Sequence, residues 1–131
     1  MSEPLNSVGA ITMFVADHDR AKSFYGKAFD VETVYEVDHS IAFKFESMIV
    51  NLLVIEEAHE LIAPAVVAEP DAGSRFQLTI WVDDTDAACE ELGRRGVKRL
   101  NGPINRPWGM RTAAFADPDG HVWELAAKIP T

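Results

Sequence analysis

The sequence predicts an α+β fold made of two βαβββ modules, and three observations predict it. An alternating apolar stretch gives way to helical spacing twice, at residues 9–29 and again at residues 76–95. Each strand-and-helix pair is followed by short β-rich runs rather than by another helix. The halves also match at a fixed shift that sets Ala10 on Gln77: Thr12 meets Thr79, Phe14 meets Trp81, Val15 meets Val82, Asp17 meets Asp84, Asp19 meets Asp86, Ala21 meets Ala88 and Gly26 meets Gly93. Duplication accounts for these pairs better than convergent strand-to-helix patterning does.

In the first half, residues 9–16 alternate and are rich in Ile, Val, Met and Phe, which gives a strand. Residues 17–29 then place Ala21, Phe24, Tyr25 and Ala28 at helical spacing, with Asp17 and Asp19 where N-capping and first-turn acids favour a helix. Strands are expected at residues 31–37, 41–45 and 48–55, joined by tight connections at Asp38-His39-Ser40 and Glu46-Ser47. The pattern dissolves over residues 56–74, where Pro64, Pro70 and Gly73 mark a linker whose middle has room for a short helix. The order then restarts with a strand at residues 76–82 and a helix at residues 84–95 that Gly96 terminates. Strands are expected at residues 97–100, 111–116 and 121–127, the last two joined by Asp117-Pro118-Asp119-Gly120. One domain over residues 1–131 is expected, with module one at about 8–56, the linker at about 57–74 and module two at about 75–128.

Composition excludes several functional classes. Apolar residues at 47% and charged residues at 25% match an ordinary globular chain. The longest apolar stretch, at residues 48–55, is too short to span a bilayer, and the start lacks a signal peptide's basic residues and apolar run, so a cytoplasmic location is expected. A net charge of -9 argues against nucleic acid and anionic membranes as partners and leaves room for a cationic small molecule. Cys89 is the only cysteine and sits in a helical pattern, where a small buried side chain is the commoner reading than a reactive thiol.

Two motifs carry a resemblance. Ala116-Asp117-Pro118-Asp119-Gly120-His121-Val122-Trp123-Glu124-Leu125 is similar to the terminal hairpin of the vicinal oxygen chelate superfamily, the group of glyoxalases, bleomycin resistance proteins and extradiol dioxygenases. Phe14-Val15-Ala16-Asp17 followed by Ser23-Phe24-Tyr25 is similar to its opening. The resemblance implies curled mixed sheets around a small-molecule cavity, and a homodimer. Metal-dependent relatives place ligands at positions that here read Ala10, Asn51, Gln77 and Glu124. Ala10 has no donor, and Asn51 and Gln77 offer only neutral amides, so no metal or other cofactor is expected. An iron dioxygenase would need two His at such positions. His18, His39, His59 and His121 all lie elsewhere, and solvated or turn-stabilising roles suit them better.

Alternation on this scaffold sends Ile11, Met13, Val15, Leu78, Ile80, Val82, Trp123 and Leu125 under the helices. It sends Thr12, Phe14, Gln77, Thr79, Trp81 and Glu124 toward the cavity, together with Asn51 and either Phe43 or Phe45. An apolar hollow with a few orienting polar groups suits an organic ligand. Glu124 is its charge, as general base, as counter-ion to a basic ligand, or as a carboxylate that only hydrogen-bonds to Gln77 or Asn51. Trp108, in the loop Arg106-Pro107-Trp108-Gly109-Met110-Arg111, either stacks on a ligand or packs at a dimer interface. Arg106 and Arg111 are expected to pair with nearby carboxylates, and otherwise to anchor an anionic ligand.

The leading functional expectation is a metal-independent protein that binds or sequesters an aromatic or cationic small molecule, similar to the drug-sequestering members of the superfamily. The alternative is a glyoxalase-like lyase or related enzyme, using a reduced metal site at Gln77 and Glu124 or Glu124 alone as catalytic base. A domain with a vestigial pocket is a third reading. The sequence does not choose among natural ligands, or decide whether there is turnover.

Overall fold

Asp17 and Asp84 begin the two longest helices in the same way. In the computed structural model, which describes residues 3–130, the Asp17 side chain accepts a hydrogen bond from the Arg20 N–H and Asp84 accepts one from the Ala87 N–H, each at 3.0 Å. Each cap satisfies an otherwise unpaired donor of the first turn. Helix α1 spans His18–Ala28 and α3 spans Thr85–Arg94. Gly96, at φ 85°, closes α3 by donating to the Gly93 carbonyl while Val97 donates to the Leu92 carbonyl. This paired ending needs a left-handed residue, which glycine supplies without steric cost.

Each helix belongs to one four-stranded sheet. Strands β1 (Ala10–Val15), β2 (Glu32–Val37), β3 (Ser40–Lys44) and β4 (Ile49–Val54) form the first, in the order β1-β4-β3-β2. Strands β5 (Gln77–Trp81), β6 (Arg99–Asn105), β7 (Met110–Ala116) and β8 (Val122–Lys128) form the second, in the order β5-β8-β7-β6. The first strand of each module runs parallel to the last, and the other pairings are antiparallel. The fold is therefore two βαβββ modules, as the repeat predicts, and neither sheet closes on itself.

The helix-facing sides of both sheets share one core. Met13, Val15, Tyr25, Ile41, Phe43, Val50 and Leu52 of module one pack with Leu92, Val97, Phe115, Trp123 and Leu125 of module two. Aromatic rings join the halves: Phe29 and Trp123 have centroids 4.7 Å apart, and Phe45 stacks on Trp123 at 5.5 Å. Such pairs contribute about 0.5–1.5 kcal/mol each beyond their buried area. Of Phe43 and Phe45, one of which was expected to line the cavity, Phe43 lies in this core because β3 turns it toward Tyr25, while Phe45 packs against the core and lines a groove between the modules.

Two elements depart from expectation. The linker begins with helix α2 (Ile55–Ile62), which starts directly at the end of β4. The apolar run at residues 48–55 hid this boundary, since strand and helix read alike over a short buried stretch. Ile55 and Ala58 face the sheet and cover Leu53 and Phe14, with Val67 completing a second apolar cluster. Strand β6 is longer than the expected run at residues 97–100, continuing through Gly102 and Pro103 by way of two irregularities in its pairing with β7.

Candidate functional site

The side of each sheet turned away from the helices carries the expected site residues. Register sets them in rows. On the first sheet, Thr12, Asn51, Ala42 and Tyr35 lie across the four strands, with Ala10 in the adjacent row beside Ile49. The Asn51 Nδ2 approaches the Thr12 Oγ1 at 3.4 Å, a long hydrogen bond. Phe14 and Leu53 share this face, but α2 and Val67 cover them, which confines the open part to the Thr12 end.

On the second sheet, one row holds Thr79, Glu124, Ala114 and Asn101, and the next holds Trp81, Ala126, Thr112 and Ile104. Gln77 stands beyond Thr79, opposite Val122 and exposed. The Thr79 Oγ1 donates to the Glu124 Oε1 at 2.9 Å, so the partner of Glu124 is Thr79 rather than Gln77 or Asn51. Its other oxygen accepts no hydrogen bond among the described residues. Trp81 is 73% exposed, unusually open for a large aromatic on a strand. Trp108, at the tip of the turn between β6 and β7, is 67% exposed.

The structure thus groups the candidates as two sets. Thr12, Phe14 and Asn51 belong to one face, and Gln77, Thr79, Trp81 and Glu124 to the other. No hydrogen bond joins these sets among the described residues. A groove of about 630 Å³ between the modules is lined by Thr79 and Trp81 together with Phe45, Leu92 and Leu125. A larger hollow of about 780 Å³ lies between α3 and β6, lined by Asp86, Cys89, Lys98 and Arg99, and contains none of the candidates. Burial raises the Cys89 thiol pKa, which leaves it a poor nucleophile.

The donor set does not fit a catalytic metal. Of the four positions where metal-dependent relatives place ligands, only Glu124 offers a charged oxygen, and its Oε1 is already engaged by Thr79. The Asn51 amide nitrogen is turned to Thr12, and Gln77 is a neutral amide on the other sheet. Neutral amides alone bind divalent transition metals weakly. The described residues contain no group of three or more His, Cys, Asp or Glu arranged to hold a metal ion.

Sequence reasoning missed the structural role of the terminal hairpin. Asp117 accepts from the Tyr25 hydroxyl at 2.7 Å and from the Asp119 and His121 N–H groups, while the Trp123 indole donates to the Tyr25 oxygen at 3.0 Å. Asp119 accepts from the Ala16 N–H and from Arg20, and the His121 Nε2 donates to the Phe14 carbonyl. The hairpin therefore bolts module two to the start of α1. The sequence carried the signal in the Tyr25 and Asp117 positions of the opening and terminal motifs.

One expectation about the arginines is corrected. Arg111 pairs with Asp86 through two nitrogens, at 2.7 and 3.1 Å, as expected. Arg106 has no carboxylate partner among the described residues: its Nε donates to the Thr112 Oγ1 at 2.9 Å. The turn at residues 107–109 returns the chain so that the Arg106 N–H donates to the Met110 carbonyl and Thr112 lies within reach of the Arg106 side chain.

Comparison with known proteins agrees with the fold. The family described as "Glyoxalase/Bleomycin resistance protein/Dioxygenase superfamily" matches residues 7–125. The chain is 29% identical over 120 residues to the uncharacterized protein YraH of Bacillus subtilis (strain 168), covering 88% of this chain and 93% of that protein. Among solved structures, a glyoxalase/bleomycin resistance protein/dioxygenase from Nocardioides superposes with a TM-score of 0.85 at 21% identity, covering 98% of this chain and 86% of that one. A lactoylglutathione lyase from Agrobacterium tumefaciens superposes with a TM-score of 0.75 at 18% identity, covering 95% and 96%.

Proposed function

Because the chain belongs to the glyoxalase/bleomycin resistance protein/dioxygenase superfamily, we propose that it binds a small organic molecule bearing an aromatic or cationic group, without a metal ion. The observation that carries this reading is the second sheet's open face, where Trp81 is 73% exposed beside a Glu124 carboxylate that a single Thr79 hydroxyl holds. An aromatic surface next to a carboxylate suits a flat cation through stacking and charge.

The same reading makes the protein a homodimer. One chain joins its modules through their helix sides, so Thr12 and Asn51 do not share a face with Trp81 and Glu124. Strands β1 and β5 each leave one backbone edge unpaired within their own sheet. A second copy that sets its first sheet against the second sheet of its partner would enclose both sets of residues in one cavity, and would cover Trp81.

A lyase-type enzyme is the second reading, and the Glu124 oxygen with no hydrogen-bond partner favours it, since a free carboxylate oxygen can take a proton from a bound substrate. A thermal-shift screen of aromatic cations, glutathione adducts and catechols tests the proposal, run on protein treated with a chelator. A ligand present at a hundred times its Kd stabilises by about 2.7 kcal/mol, or roughly 10 °C in Tm for a chain of this size. Turnover of a glutathione adduct by the chelator-treated protein, lost in Glu124→Gln, would instead establish the lyase.

A further inference from the structure

We propose that Arg106 forms an oxyanion subsite on the open face of the second sheet, and that with Glu124 it selects small aromatic zwitterions. This rests on the binding function above and names its ligand class. The chain has 21 acidic and 12 basic residues, and Arg20, Arg94, Arg95 and Arg111 all have carboxylate partners. Arg75, Arg99 and Arg106 have none among the described residues, and of these three only Arg106 is half-buried. It is held by its Nε to the hydroxyl of Thr112, a residue only 2% exposed.

Anchoring through Nε determines what the rest of the group can do. The Nη1 and Nη2 atoms form the end of the guanidinium fork and make no hydrogen bond to the described residues. That end matches the two oxygens of a carboxylate in a bidentate pair. A lysine would bring the charge without the fork.

The positions of the neighbours narrow the ligand further. Thr112, Ala126 and Trp81 occupy one row of the sheet, and Ala114, Glu124 and Thr79 occupy the next. Thr112 and Glu124 are therefore diagonal neighbours on adjacent strands, a relation that spans roughly 7–8 Å. Arg106 and Glu124 form no ion pair, and the residues between them in the two rows, Ala114 and Ala126, are small and buried. A molecule carrying a carboxylate and an ammonium on one carbon meets both charges with hydrogen bonds of about 2.9 Å each. An aromatic ring on the same molecule reaches Trp81, which shares the row of the Arg106 anchor. A purely anionic ligand would be repelled by Glu124, and a purely cationic one would leave Arg106 unmatched.

Calorimetric titration with four probes tests this: tryptophan, tryptamine, tryptophan methyl ester and N-acetyltryptophan. The expected result is that tryptophan binds about tenfold or more tightly than the three analogues, each of which lacks one charge. Arg106→Gln should remove the advantage over tryptamine and the methyl ester, keep the one over N-acetyltryptophan and leave tryptamine binding unchanged, and Glu124→Gln should weaken tryptophan and tryptamine alike. If Arg106→Gln fails to fold, Arg106→Lys serves in its place, because it keeps the charge and loses the fork. Tryptamine binding as well as tryptophan, with Arg106→Gln indifferent, would overturn the subsite and leave the broader binding function intact. Absence of binding by all four also overturns the subsite, and the broader function then rests on the aromatic-cation screen alone.

Discussion

Tyr25 is fully buried and accepts from the Trp123 indole while donating to Asp117. Burial, and then the neighbouring Asp117 carboxylate, hold its hydroxyl protonated far above the usual tyrosine range. Tyr25→Phe removes one oxygen and strands two buried partners, so a loss of about 1–3 kcal/mol is expected by urea denaturation. Burial also pushes the Asp117 carboxyl above the ordinary carboxylate range, against the lowering effects of His121, of the Tyr25 hydroxyl and of the two backbone N–H groups. A raised folded-state pKa means that ionising Asp117 opposes folding. The stability it contributes is full below the unfolded value of about 3.9 and is lost as pH rises through the folded value. Wild type should therefore lose stability relative to Asp117→Asn over that rise. A constant difference between the two at every pH would count against this account of the hairpin.

Elements were legible where local chemistry announces them. The cap at Asp17 and the glycine ending at Gly96 were visible because each needs one residue type at one place, whereas Asp84, read as the first helical residue, is the cap of α3. Replacing either Asp with Ala should cost about 1 kcal/mol, measurable in the denaturation midpoint. Strand β6 was only partly legible: the run expected at residues 97–100 stops before Gly102-Pro103, and the strand continues through them. Its cause is non-local: a Cβ at Gly102 would lie 2.5 Å from the Thr112 carbonyl oxygen and 2.7 Å from the Ala113 Cα, at a φ of 88°. Gly102→Ala should therefore destabilise by roughly 3 kcal/mol, through both backbone strain and overpacking. Gly73→Ala has positive φ but open space, and should cost less in the same assay.

At the scale of the whole molecule, the repeat revealed two modules but not which way they turn. Sequence alternation assigned faces correctly for Met13, Val15, Trp123 and Leu125, yet it pooled Thr12 and Asn51 with Trp81 and Glu124 in one cavity. How the modules pack depends on contacts such as Phe29 with Trp123 and Phe45 with Trp123, which no local pattern encodes. The same distance from local pattern hid the Arg106 anchor on Thr112, since it depends on where the chain lands after a turn. If two copies complete the site, light scattering should give a mass near twice 14.5 kDa, and a monomer at all concentrations would remove the composite cavity. The most direct test of the central claim is a thermal-shift titration of chelator-treated wild type and Glu124→Gln with an aromatic cation. A saturable rise in Tm that needs no metal is expected for wild type, and a rise at least halved in Glu124→Gln. A rise that appears only when a divalent metal is restored, or that is the same in both proteins, would contradict it.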